Sequence, residues 1–283
     1  MNWNFVCNEK LIKLSNLVFS SEDDFRKYKS MKGVKDKEQE RMVAQLQQAG
    51  KAMPVLDVNY GLVSKAFVGT YLTVYKCTIP KNGRLFDRKH DRFEFCKVKS
   101  TFTWQFRRYT FSFTPDPNEK SKNFEIVMVS HKRQQISDFL FNGERYRWLR
   151  KIGIRVTKDK WAYTLQKLPD SMPSMVDEFN ENQKPVTNKE FKSSFLKSLL
   201  PDRWNANSKY LTNKVIGEVA DTRHFNLIWN DVSARFSYNS YIPKNEVKES
   251  VTEVPFDALV FLCMSAVLKK VEYDHEERER YAN

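Results

Sequence analysis

The run Ala258–Leu268, ALVFLCMSAVL, constrains this chain most, because in eleven consecutive residues only Ser265 is polar. A helix over this run is apolar on every face, and such a helix must be enclosed. Pro255 suits its first turn. A membrane span needs about 20 residues, and Asp257 and the pair Lys269-Lys270 bound the run well short of that. The pattern therefore predicts a helix buried inside protein. Its charged continuation, residues 269–283, is expected to emerge as a tail.

What could enclose it is written upstream as strands. PVLDVNY (54–60), AFVGTYLTVYKCTI (66–79), RFEFCKV (92–98) and NFEIVMVS (123–130) are rich in β-branched and aromatic residues and separated by turn residues. In ISDFLFNGERYRWL the pair Asn142-Gly143 predicts a type I′ turn, since both positions need φ > 0. Pairing outward sets Phe141 against Glu144, Phe139 against Tyr146 and Asp138 against Arg147. Arg147 is then expected in a cross-strand ion pair. Strands IRVT (154–157), WAYTLQK (161–167), KVIGEVA (214–220), RHFNLIW (223–229) and VSARFSY (232–238) continue the series. Between them, Thr187-Asn188-Lys189-Glu190 is a capping box opening a helix over about 187–200.

The stretch FTWQFRRYTFSF carries two aromatic triplets of opposite parity: Phe102, Trp104 and Phe106, then Tyr109, Phe111 and Phe113. A β-bulge at Arg107-Arg108 would put all six rings on one face of a single bent strand. That is the expectation here, with a tight turn between two short strands as the alternative. Before the strands, Ser21 caps a first helix, and a second runs over about 35–49 with Gly50 as its stop and Met42, Val43 and Leu46 as its contact stripe. Residues 1–50 read as a helical arm, and residues 51–283 as the barrel domain. The fold class expected is α+β, mainly β: a closed antiparallel barrel around a buried hydrophobic C-terminal helix, since closure removes exposed strand edges.

The strand-rich stretch, the hairpin DFLFNGERYRW and the terminal ALVFLCMSAVL resemble the tubby C-terminal-like superfamily, which includes the scramblase and LURP-one-related proteins, over residues 51–272. The hairpin is similar to a fungal branch, in which an aromatic-rich glycine turn precedes Tyr-x-Trp. The resemblance implies a barrel wrapped on a hydrophobic helix and no shared enzymatic site. Tubby itself binds phosphoinositides through basic residues, none of which is carried onto a position here. The palmitoylated cysteine-rich segment and the calcium-binding stretch of scramblases have no counterpart in this sequence.

Charge narrows the function. The net formal charge is +13, and residues 51–168 alone hold 24 Lys and Arg against 10 Asp and Glu, a net of +14. Such asymmetry points to an anionic partner. The first expectation is a non-catalytic protein docking on anionic phospholipid through Arg107, Arg108, Lys132, Arg133 and Arg145. Each of these could equally be an ordinary exposed cation. The alternatives are RNA or single-stranded nucleic-acid binding, or a protein-interaction role for the N-terminal arm with a partner the sequence does not name. Nucleic acid is the less favoured, because the aromatics alternate as core residues and no RNP-like or GXXG motif occurs. No phosphate loop, nucleophile elbow or HExxH motif occurs, so no enzyme is expected. No metal or cofactor is expected either; Cys77, His90 and Cys96 fit no zinc spacing. The four scattered cysteines read as reduced thiols of an intracellular protein. Residues 1–21, with Lys10 and Lys13 among apolar residues, faintly resemble a mitochondrial presequence without its arginines, so a mitochondrial address is favoured over a cytoplasmic one.

Overall fold

The computed structural model describes residues 2–9, 15–31, 36–60, 70–102, 106–131, 135–151, 161–170, 172, 174–178, 214–221, 232–239 and 254–282. Among them twelve antiparallel strands form a closed barrel. They are β1 (Asn2–Glu9), β2 (Ser15–Phe19), β3 (Leu56–Asn59), β4 (Thr70–Cys77), β5 (Arg92–Phe102) and β6 (Phe106–Phe113). β7 (Phe124–His131), β8 (Ile136–Phe141), β9 (Glu144–Arg150), β10 (Ala162–Lys167), β11 (Val215–Asp221) and β12 (Val232–Asn239) complete it. Every strand pairs with its neighbour in sequence, and β1 closes the ring against β12. The described helices are α1 (Glu22–Ser30), α2 (Lys37–Gln48), the one-turn α3 (Met175–Glu178) and α4 (Phe256–Ala282).

A twelve-stranded ring is too wide for wall side chains alone to fill. α4 fills it. Ala258 to Leu268 are each 7% exposed or less, on all sides of the helix. Phe261 packs on Phe139, Phe141, Tyr146 and Tyr238, rings from β8, β9 and β12. Phe256, one turn earlier, meets Phe95 of β5 and Phe124 of β7. Contacts from strands on opposite sides of a closed ring put the helix in the lumen. Ser265, its one polar residue there, is satisfied by its own helix, donating to the Leu262 carbonyl at 2.8 Å.

The predicted hairpin forms in the expected register. Asn142 and Gly143 adopt φ of 50° and 75°, and Asp138 faces Arg147. Arg147 forks onto the Asp138 carboxylate with two 2.7 Å bonds. The pair sits on the outer face of the wall, covered by the segment that opens α3. There the Met175 N–H also donates to Asp138, at 2.9 Å. The second helix ends as expected: Gly50 takes φ 70°, its N–H bonds to the Gln47 carbonyl and that of Lys51 to Leu46. Its buried face is Val43, Ala44 and Gln47, while Met42 is exposed rather than part of the stripe.

Three expectations are corrected. Residues 1–50 are not a helical arm: β1 and β2 belong to the barrel wall, so the barrel already includes Asn2–Glu9 and Ser15–Phe19 rather than starting at residue 51. Where α1 covers them these strands are apolar on both faces, with Val6 next to Phe5 and Val18 between Leu17 and Phe19, which hides the alternation there. Trp3 and Phe5 point to the lumen, whereas Val6, Leu17 and Phe19 face outward under Phe25 of α1. The aromatic stretch 102–113 is not one bulged strand. It is a hairpin in which Phe102 pairs with Arg107, so the parity slip marks a chain reversal. Tyr109, Phe111 and Phe113 face the lumen, and Phe106 packs outside with Val129, Ile136 and Met175. The charged end is not a loose tail, because α4 continues to Ala282. The i,i+4 pairs Lys270–Asp274 and His275–Glu279 support that extension. The strands predicted at 154–157 and 223–229, the helix at 187–200, Trp104, Lys132 and Arg133 lie outside the described residues.

Candidate functional site at the barrel mouth

The apolar half of α4 ends at Leu268, and its first charged residues meet the wall before they reach solvent. Lys269 donates to Ser233 of β12 at 2.7 Å. Tyr163 of β10 donates to Glu272 at 2.6 Å, and Arg150 of β9 donates to the same carboxylate at 2.9 Å. Tyr71 of β4 donates to Asp274 at 3.2 Å. A polar collar thus ties the helix to four strands where it leaves the barrel. Burial raises the pKa of the tyrosines there. Tyr71 and Tyr163 are pushed upward, helped by Asp274 and Glu272 respectively, and Tyr109 is pushed up to about 12 against the opposing pull of Arg107.

Beside this collar lies a cavity of about 350 Å³ between α4 and the ends of β6 to β10. Its apolar lining includes Leu268 and Val271 of α4, and its cationic lining is Arg107, Arg150 and Arg278. Arg150 is neutralised by Glu272. Arg107 instead lies over the rings of Tyr71 and Tyr109, with its guanidinium carbon 4.7 and 5.4 Å from their centroids. Its Nε finds no acceptor among the described residues. Among the described residues Arg278 bonds the Asp274 carbonyl, at 3.1 Å. The serine hydroxyls Ser130 and Ser137, 2.6 Å apart, add to the polar lining.

The expected lipid-binding residues fall in different places. Arg107 and Arg108 are neighbours on β6 and so point to opposite faces of the wall, Arg107 to the mouth cavity and Arg108 outward. Arg145 sits near the hairpin at the other end of the barrel, bonded to Asp177 at 3.0 Å. Lys97 and Lys99 were missed by sequence reasoning. Both point outward from β5, as the buried Val98 between them requires, and Thr101, next along that face, pairs with Arg108. No carboxylate is ion-paired to either lysine among the described residues. Their signal was the alternation of CKVKS from Cys96 onward, whose polar positions went unweighed. Arg278 was missed because only the helical continuation of α4 brings it over the mouth.

No group of three His, Cys, Asp or Glu side chains among the described residues is placed to hold a metal ion. No described helix is long and apolar enough to cross a membrane.

Fold and site together define a class: an antiparallel meander barrel occupied by its own C-terminal helix, with a cationic cavity where that helix emerges. The chain belongs to the DIA1 family, which it matches over residues 1–277. No curated protein and no solved structure matches it.

Proposed function

We propose that this chain is a non-catalytic binding protein that docks on anionic phospholipid surfaces with the end of the barrel from which α4 emerges. The observation that carries the reading is the outward basic strip formed by Lys97, Lys99 and Arg108 on adjacent strands, next to the cationic mouth. Each Lys or Arg near an anionic membrane contributes about 1 kcal/mol. Three on one face give reversible attachment that weakens as salt rises. A closed meander barrel on a C-terminal hydrophobic helix also supports kinship of the family with the tubby C-terminal-like superfamily. A mitochondrial address remains a proposal. If it holds, residues 1–21 stay attached, because β1 and β2 close the barrel; N-terminal sequencing of the mature protein checks this.

Vesicle co-sedimentation tests docking. The chain is expected to pellet with phosphatidylcholine vesicles only after phosphatidylserine is added, and less so as salt rises. Replacing Lys97, Lys99 and Arg108 together by Gln should abolish pelleting. Equal pelleting with neutral vesicles, or an unaffected triple variant, refutes the reading. Retardation of a single-stranded RNA without any pelleting would favour nucleic acid instead.

A further inference from the structure

We infer that the mouth cavity is a binding site for a phosphate monoester carried on a small apolar body. This deepens the docking reading by naming the ligand chemistry of the same barrel end, and rests on it only in placing an anion there. The charge count selects the ligand. Glu272 cancels Arg150, and Asp274, just outside the lining, pairs with Lys270. His275 has Glu279 as its partner. With neutral histidines, Arg107 and Arg278 leave the cavity a formal charge of +2 (three arginines against Glu272). A phosphate monoester carries about −1.5 to −2 at neutral pH. A carboxylate or a phosphodiester, with a single charge, would leave one guanidinium uncompensated.

The geometry agrees with that count. Stacking on Tyr71 and Tyr109 fixes the plane of the Arg107 guanidinium, and the fork of N–H donors suits phosphate oxygens. In the Ser130–Ser137 pair one hydroxyl donates to the other, which leaves one O–H to give. A volume of about 350 Å³ exceeds what a bare phosphate fills. The apolar side chains of Leu268 and Val271 take the remaining body, as pre-formed ligand sites commonly do.

Calorimetry on the full chain tests this with three probes: phenyl phosphate, its methyl diester and benzoate. Phenyl phosphate is expected to bind at least about tenfold more tightly than the other two. Arg278→Gln, at an exposed helix end, should cost about tenfold in phenyl phosphate affinity. Arg107→Gln should do the same with the circular dichroism spectrum unchanged, and Lys122→Gln, at the far end of the barrel, should bind as the parent does. Equal affinity for monoester and diester, or undiminished binding by Arg278→Gln, overturns the inference. Matched vesicles separate the sources. Preference for phosphatidate over phosphatidylglycerol assigns the monoester to a lipid headgroup. Binding of phenyl phosphate with no pelleting on either vesicle supports a soluble ligand and removes only the docking reading. Pelleting that ignores headgroup, with no phenyl phosphate bound, removes only this inference.

Discussion

Asp138 and Arg147 show how a single residue's surroundings decide what it is for. Both are essentially unexposed, at 0% and 1%, yet they lie outside the lumen, sealed by the turn that opens α3. The carboxylate accepts two guanidinium bonds and a backbone N–H, so both charges are compensated locally. Asp138→Ala would leave the guanidinium buried and unpaired, and is expected to destabilise the fold by about 3–5 kcal/mol in urea unfolding. Adding Arg147→Met should recover a large part of that loss, because an apolar replacement of the whole pair is often neutral. Leu140→Ala, on the same outward face but 45% exposed, should change stability by less than about 0.5 kcal/mol. A small effect of Asp138→Ala would mean that the site admits water. The pairing was legible in the sequence because an Asn-Gly turn fixes the register residue by residue. The depth of burial was not, since it depends on a contact with residue 175, far outside the hairpin.

At the scale of elements, legibility followed how many faces a segment buries. α4 and the β8–β9 hairpin could be read because one pattern suffices for each: apolar all round, or alternating about a turn. β2 and the second half of β1 were misread because α1 covers their outer face, and a strand buried on both sides loses its period of two. The β5–β6 hairpin was misread for a different reason: its aromatic residues serve two clusters, with Phe106 outside and Tyr109 inside. The mouth cavity was the least legible feature, because its lining comes from five strands and a helix spread between Arg107 and Arg278. Phe261 touches four rings on three strands, with centroid separations of 5.3 to 5.9 Å. Phe261→Ala removes them in a lumen that cannot collapse without opening its hydrogen-bonded wall. The expected loss is about 3–5 kcal/mol, read as a lower thermal midpoint. A loss near zero would indicate that the wall closes without the helix.

The whole molecule is a ring of twelve described strands held shut around a core it does not surrender piecemeal, and alkaline pH probes that property directly. Tyr71, Tyr109, Tyr163 and Tyr238 are each 5% exposed or less, and burial raises all four above the ordinary tyrosine value. Three also donate to α4 carboxylates: Tyr71 to Asp274, Tyr163 to Glu272 and Tyr238 to Asp257. These bonds require the phenol to keep its proton. Above about pH 10 the unfolded chain releases those protons while the folded barrel retains them, so the native state binds more protons and stability falls as pH rises. The contribution is complete below about pH 10 and is lost as pH climbs through the folded value, about 12 for Tyr109. Tyr71, Tyr163 and Tyr238 cannot ionise without breaking their ties to the helix, so their phenolate absorbance and loss of the circular dichroism signal should rise together in one steep transition within that window. Tyr163→Phe removes one of the coupled groups and should make the transition shallower. A gradual phenolate signal over an intact dichroism spectrum would mean that the mouth opens to hydroxide independently of the barrel.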